Sequence, residues 1–221
     1  NLIYSYYLNL YLNIDTYYFS LALSLILGVL FYKIKTTEKK STIYQKILTV
    51  LLGYICLPVI LSVPYFLIIS NISFIDSYFE AISGFTSTGF TIFKNIKHLD
   101  ESLILWRSTT QWLGGLYFLI SIILLIDIFD KNLKKSLTNF INFNSNETIK
   151  QCFKIGVVYL LLTISIFIVL YFSDLRAFNS FNLSLTLISS GGFLPVNNLE
   201  IIINTKLKEI TLSLMMLISF F

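Results

Sequence analysis

The sequence predicts an all-α polytopic membrane protein built from repeated helix, re-entrant loop, helix units. Three observations carry that prediction. Of 221 residues, 56% are hydrophobic and 13% charged, against roughly 25% charged in soluble domains, and the mean hydropathy is +0.77. Three prolines and nine glycines are few enough for apolar stretches to run unbroken over the ~20 residues that cross ~30 Å of hydrocarbon. Between two such stretches lies an uncharged polar run up to Lys94, GFTSTGFTIF at 84–93, whose backbone has to be buried in protein or line a watery cavity at membrane depth.

Taken in order, five segments have the length or apolarity of membrane helices. Residues 17–32 form the first, followed by the basic stretch KIKTTEKKS, a solvated turn at headgroup level. The tyrosine-rich opening before it, 4–18, fits either the tail of an earlier helix or an interfacial belt. Residues 44–70 form the second and carry Pro58 and Pro64, each removing a helix hydrogen bond and predicting a bend. The third is 103–126 and the fourth 153–172. A fifth starts at Ile210 and is cut off by the end of the chain, which, opening on Asn1, reads as a fragment. Cys56 and Cys152 have no metal-type spacing and are expected as small core residues.

Orientation follows from the cations. The link between the first two spans holds Lys33, Lys35, Lys39, Lys40 and Lys46, and the link 127–154 holds Lys131, Lys134, Lys135, Lys150 and Lys154, together ten of the sixteen lysines and arginines. These ten face the cytoplasm by the positive-inside rule, so the polar run opens outward. The net charge of +4 reflects this topology and no nucleic-acid partner.

From Asp76 to Phe85, the residues Tyr78, Phe79, Ala81, Ile82 and Phe85 recur at helical spacing, with Ser73 or Asp76 available as N-cap. Such a helix of about ten residues rises some 15 Å, too short to cross. It enters, and 86–91 returns. Its C-terminal end carries roughly half a negative charge and stabilises a cation. Carbonyls of TSTG can replace a cation's water shell, glycine permits the backbone conformations required, and no carboxylate lies within 84–93. The same composition also suits a turn or helix packing. An internal repeat favours the first reading: 75–91 aligns without a gap on 178–194, matching Ser77 with Ser180, Ser87 with Ser190, Gly89 with Gly192 and Phe90 with Phe193.

FEAISGFTSTGF, with LWRSTTQWLGGL at 105–116, resembles the first repeat of the Trk/Ktr/HKT superfamily of potassium transporters, in particular its Trk-type membrane subunits; LISSGGF resembles the second. The resemblance runs from about residue 44 to the end, and 17–34 matches the last helix of the extra pair that Trk-type members carry. It implies a potassium-channel-like fold in which four helix, pore loop, helix repeats surround one potassium pathway. The filter glycines would be Gly89 and Gly192. Backbone carbonyls of Thr86, Ser87, Thr88, Ser189, Ser190 and Gly191 would be neighbouring ligands. Gly89, where relatives that admit sodium tend to carry serine, favours potassium. The implied units are 1–43 (helix and basic link), 44–130 (first repeat), 131–150 (cytoplasmic link) and 151–221 (second repeat, truncated). A homodimer in the cytoplasmic (inner) membrane and a cytoplasmic nucleotide-binding regulatory subunit are implied as well, with potassium as substrate and no cofactor. Three departures stand out: Tyr117 where the family commonly has glycine, SSGGF where ATGGF is common, and the missing repeats three and four, without which this chain alone is not expected to conduct.

Glu80 matches an acidic position of the family motif and is read either as filter support or as a solvated face. Arg107 is expected as an interfacial, snorkelling residue, Gln111 in a buried interhelical hydrogen bond, Gly114 and Gly115 at a close helix contact, and His98 in the outer loop without a metal. No Walker loop, HExxH or nucleophile beside a base is present, so no enzyme is expected. The rival readings are a tetrameric channel subunit, disfavoured by two non-identical loops, a less selective sodium/potassium transporter or channel, and a non-conducting membrane scaffold or receptor subunit.

Overall fold

The computed structural model describes residues 1–7, 13–33, 42–129 and 148–218. The link expected at 131–150 and the lysines at 35, 39, 40, 131, 134 and 135 fall largely or wholly outside them. Every regular element among the described residues is helical: α1 (Leu2–Tyr7), α2 (Ile14–Lys33), α3 (Ile43–Leu61), α4 (Val63–Ile68), α5 (Phe74–Phe85), α6 (Glu101–Phe129), α7 (Thr148–Phe172), α8 (Ala177–Ile188) and α9 (Lys206–Ile218). Among the described residues, four stretches are long and apolar enough to cross a membrane: Ile14–Phe31, Ile43–Ile68, Glu101–Leu125 and Lys150–Phe172.

The bend expected from the prolines lies between α3 and α4, at Ser62. Pro64 has no N–H for the Ile60 carbonyl, while the Ser62 N–H completes the last turn of α3 by donating to Pro58 O at 2.8 Å. Ser62 Oγ donates to Val59 O at 2.7 Å, and the Trp106 indole donates to Leu61 O at 3.0 Å. Neighbours therefore re-satisfy the broken helix, as a membrane interior demands.

The internal repeat extends well beyond the aligned residues. Helices α5 and α8 are both 12 residues long, and each is preceded by a residue in the left-handed region, Asn71 (φ 68°) and Asp174 (φ 59°). Each loop ends in a short 3₁₀ turn, Ile96–His98 and Leu199–Ile201. Every one of these correspondences has the same offset of residue number. At 1.5 Å per residue, 12 residues rise about 18 Å, so α5 and α8 enter and do not cross.

Each half has its own apolar cluster. Leu61, Tyr65, Ala81, Phe85 and Leu103 form the first, and the second gathers Tyr159, Ile166, Leu170, Leu183, Leu187, Ile188 and Leu212 among others. Helix α6 serves both, with Trp106, Leu113 and Tyr117 against the first cluster and Trp112, Leu116 and Leu119 against the second. Outward-facing Leu25, Ile26, Leu48, Leu51, Leu160 and Leu161 are exposed, as helices in lipid require.

Of the tyrosine-rich opening, the described residues up to Tyr7 form α1 and those from Ile14 begin α2; both meet the N-terminal end of α6, where Tyr4 donates to Glu101 Oε2 at 2.6 Å and the Asn13 amide donates to Asp100. Burial, and then the Glu101 carboxylate, push the Tyr4 phenol above its ordinary range, so it remains a neutral donor at pH 7. Cys56 is exposed on α3 and Cys152 half-buried on α7, both as free thiols. This corrects the expectation of core cysteines: a small, weakly polar thiol is as compatible with an outward helix face in lipid as with a core.

Candidate functional site

Each re-entrant helix is stopped in the same way. Ser73 caps α5, its Oγ accepting the Asp76 N–H at 3.0 Å, and Asp76 serves as the acid of the first turn. At the other end the Ser87 N–H donates to Gly84 O at 2.9 Å, and the Thr88 and Gly89 N–H groups donate to Ser83 O at 3.0 and 3.3 Å. In the second unit Ser190 N–H donates to Leu187 O at 2.9 Å and Gly191 N–H to Thr186 O at 2.8 Å. Ser87 (φ 55°) and Ser190 (φ 52°) both occupy the left-handed region, which costs a non-glycine residue roughly 1–2 kcal/mol. The chain accepts that strain twice, at matching positions, to reverse direction at membrane depth.

Beyond the reversal the two loops meet. A Cβ added to Gly89 would lie 2.6 Å from Gly192 Cα and 2.9 Å from its nitrogen, and Gly89 has φ +79°. A Cβ on Gly192 would lie 3.3 Å from Gly89 Cα, close but less prohibitive. All eight positions predicted from the sequence, Thr86 to Gly89 and Ser189 to Gly192, thus lie on two loops that touch at their glycines. Among the described residues, no protein donor engages the carbonyl oxygens of these eight residues. The hydroxyls of Thr86 and Thr88 pair at 2.8 Å, and Ser83 Oγ donates to Phe90 O at 2.6 Å.

Behind the loops lies a buried polar cluster that corrects part of the sequence reading. Glu80 is fully buried and Arg107 is 1% exposed, with Arg107 Nε donating to Glu80 Oε1 at 2.9 Å. The Thr91 hydroxyl donates to Glu80 Oε1 at 2.9 Å, and the Ile92 N–H donates to Oε2 at 3.1 Å. Of the two readings of Glu80, support of the loop holds. Arg107 does not snorkel; its guanidinium lies over the Phe193 ring, 4.2 Å from the centroid. A charge of each sign in an apolar setting is costly alone and tolerable as a well-hydrogen-bonded pair, and that rule was the available signal. Gln111 is buried, and its Oε1 accepts the Phe193 N–H at 3.2 Å, so its partner is a loop amide and not a neighbouring helix.

Close contact at the glycines of α6 is as expected. A Cβ on Gly114 would lie 1.9 Å from Phe85 O, and one on Gly115 2.8 Å from Ser189 Cβ. Tyr117 is accommodated by Gly53, where a Cβ would fall 1.8 Å from its hydroxyl; that hydroxyl donates to Val50 O at 3.0 Å. His98 is exposed, and no cluster of metal-ligating side chains occurs among the described residues.

Known proteins resemble this chain in sequence and in fold. The chain is 25% identical over 218 residues to an uncharacterized cation transporter of Methanocaldococcus jannaschii, covering 94% of this chain and 44% of that protein. It is 26% identical over 132 residues to the Trk system potassium uptake protein TrkH of Salmonella typhimurium, covering 56% of this chain and 27% of that one. Its fold superposes on the crystal structure of the potassium transporter TrkH from Vibrio parahaemolyticus with a TM-score of 0.75 at 19% identity, over 92% of this chain and 42% of the other. The chain therefore spans less than half the length of these relatives. A model of the family described as TrkH, cation transport protein, matches residues 15–219, a range that takes in both loops and the helix between them, and the chain belongs to that family.

Proposed function

We propose that this chain supplies two walls of a potassium-uptake pathway in the cytoplasmic membrane, with Gly89 and Gly192 as filter glycines and carbonyls of Thr86, Ser87, Thr88, Ser189, Ser190 and Gly191 as further ligands. One observation carries the reading: two loops of matching backbone, reversed at Ser87 and Ser190, meet at these glycines with eight carbonyls that no donor among the described residues engages. The C-terminal ends of α5 and α8 lead into those loops, and their partial negative charge favours a cation at the same place. Ligands that are dipoles and not carboxylates bind weakly enough to release an ion as well as take it up. The names of the relatives, potassium uptake proteins among them, agree with this substrate. Two further repeats complete the ring in this reading. The protein works as a homodimer, with the lysine-rich inner loops offered to a cytoplasmic nucleotide-binding subunit.

Potassium uptake in cells lacking their own transporters tests the reading, using the gene that carries this sequence. The parent restores growth at low potassium. Gly89→Ser loses uptake or admits sodium, because the serine meets both a positive φ and the Gly192 backbone, and Gly192→Ser does the same to a smaller degree. Uptake indifferent to both substitutions at normal expression would leave the loops as packing elements of a scaffold.

A further inference from the structure

The two loops differ in what holds them. Glu80 and Thr91, which anchor the first, correspond at the repeat offset to Leu183 and Leu194, so the second loop has neither the acid nor the hydroxyl. We infer that Arg107 makes good this deficit: its guanidinium ties both loops to α6 and sets the spacing of Gly89 and Gly192.

The contacts divide between the two sides. Toward the first loop, Nε reaches Glu80, Nη2 donates to Thr91 Oγ1 at 3.1 Å, and the Phe93 ring lies 5.6 Å from the guanidinium carbon. Toward the second, the same group stacks on Phe193, and Nη1 lies 3.5 Å from the Leu194 carbonyl oxygen, the long end of hydrogen-bonding reach. Gln111, one helical turn along α6, takes the Phe193 N–H. Thr91 joins the two charges, donating to Glu80 while accepting from Arg107. Only a planar fork with several donors makes these contacts together; an ammonium of the same charge does not. Arg107 is a positioning residue: it touches the loops one or two residues beyond the filter glycines, at Phe193, Thr91 and Leu194, and not the ion. The effect on ion selection rests on the transport reading above, whereas the effect on loop spacing does not.

Two readouts test this in the membrane-embedded product of the whole gene. One is the preference for potassium over sodium in competitive uptake. The other is the rate of disulfide formation between Asn95→Cys and Asn197→Cys, whose native side chains meet at 2.8 Å, in a background carrying Cys56→Ser and Cys152→Ser. Arg107→Lys keeps the charge and loses the fork; it is expected to slow the cross-link and lower the preference on the order of tenfold, the loss of about one hydrogen bond to a charged group. Thr91→Val leaves the ion pair intact and moves both readouts the same way by less; it decides the matter alone if Arg107→Lys fails to reach the membrane. Parental values of either readout in both variants, with potassium uptake retained, overturn the inference. A slowed cross-link in a protein whose parent carries no potassium upholds the tie between the loops and removes the transport reading instead.

Discussion

At Gly114, α6 passes so close to the end of α5 that a methyl group would lie 1.9 Å from the Phe85 carbonyl oxygen and 2.8 Å from Phe85 Cα. Backbone cannot rotate aside as a side-chain tip can, so the strain falls on the re-entrant helix itself. Gly53 makes a comparison, since its nearest neighbour is the end of a tyrosine ring and not backbone. Gly156 has nothing within 4 Å of an added Cβ. Gly114→Ala is therefore expected to destabilise by about 1–3 kcal/mol or more, the usual cost of overpacking, whereas Gly156→Ala is neutral or slightly stabilising through helix propensity. Thermal unfolding of the two purified variants in detergent checks the contrast; equal melting temperatures would mean that the α5–α6 contact is looser than its geometry.

On the scale of single elements, α5 and α8 share length and ending but not their beginnings. Ser73 caps α5 with a side-chain bond, whereas α8 starts at Arg176 without one; Arg176 instead pairs with Glu101 at 2.7 Å, largely in the open. An N-cap serine is worth about 1 kcal/mol, and an exposed ion pair typically less. Ser73→Ala is accordingly expected to lower the melting temperature by about 2–4 °C, the shift that 1 kcal/mol gives a chain of this size, and Arg176→Ala by less. Measured shifts in the reverse order would show the outer ion pair to be the stronger anchor. Such asymmetry is the element-scale counterpart of the loops, where the first unit carries its own anchors and the second leans on α6.

For the molecule as a whole, sidedness is read from the sequence, in which the two lysine-rich links and the two loops fall between alternate pairs of spans. The positive-inside rule puts the loops outside. With Cys56 and Cys152 replaced by serine, a cysteine at Asn198, which is exposed beside the second 3₁₀ turn, is expected to react with a membrane-impermeant maleimide in intact cells. A cysteine at Tyr44, exposed at the start of α3, reacts only after permeabilisation. The opposite pattern would invert the topology and point the loops at the cytoplasm.

Length and apolarity sufficed to read four of the five expected spans, because a bilayer imposes one thickness on every helix that crosses it; the fifth, from Ile210, is a helix of 13 residues within the described range, Lys206–Ile218. Pro64 likewise foretold the break at Ser62, whereas Pro58 lies inside α3. The gapless repeat located both loops, since identical serines and glycines in register need the same backbone, and the fold repeats it through the 3₁₀ turns. Local sequence could not say which partners lie behind the loops. Glu80 and Arg107 are 27 positions apart, and each alone reads as a surface charge; only the packing of α5 against α6 makes them a buried pair. Nor does any local feature bring Gly192 against Gly89, or Gly53 under Tyr117. Those contacts join segments distant along the chain, so the spans and turns were written in residue type and spacing, while the tertiary structure alone decided which loop each buried side chain holds.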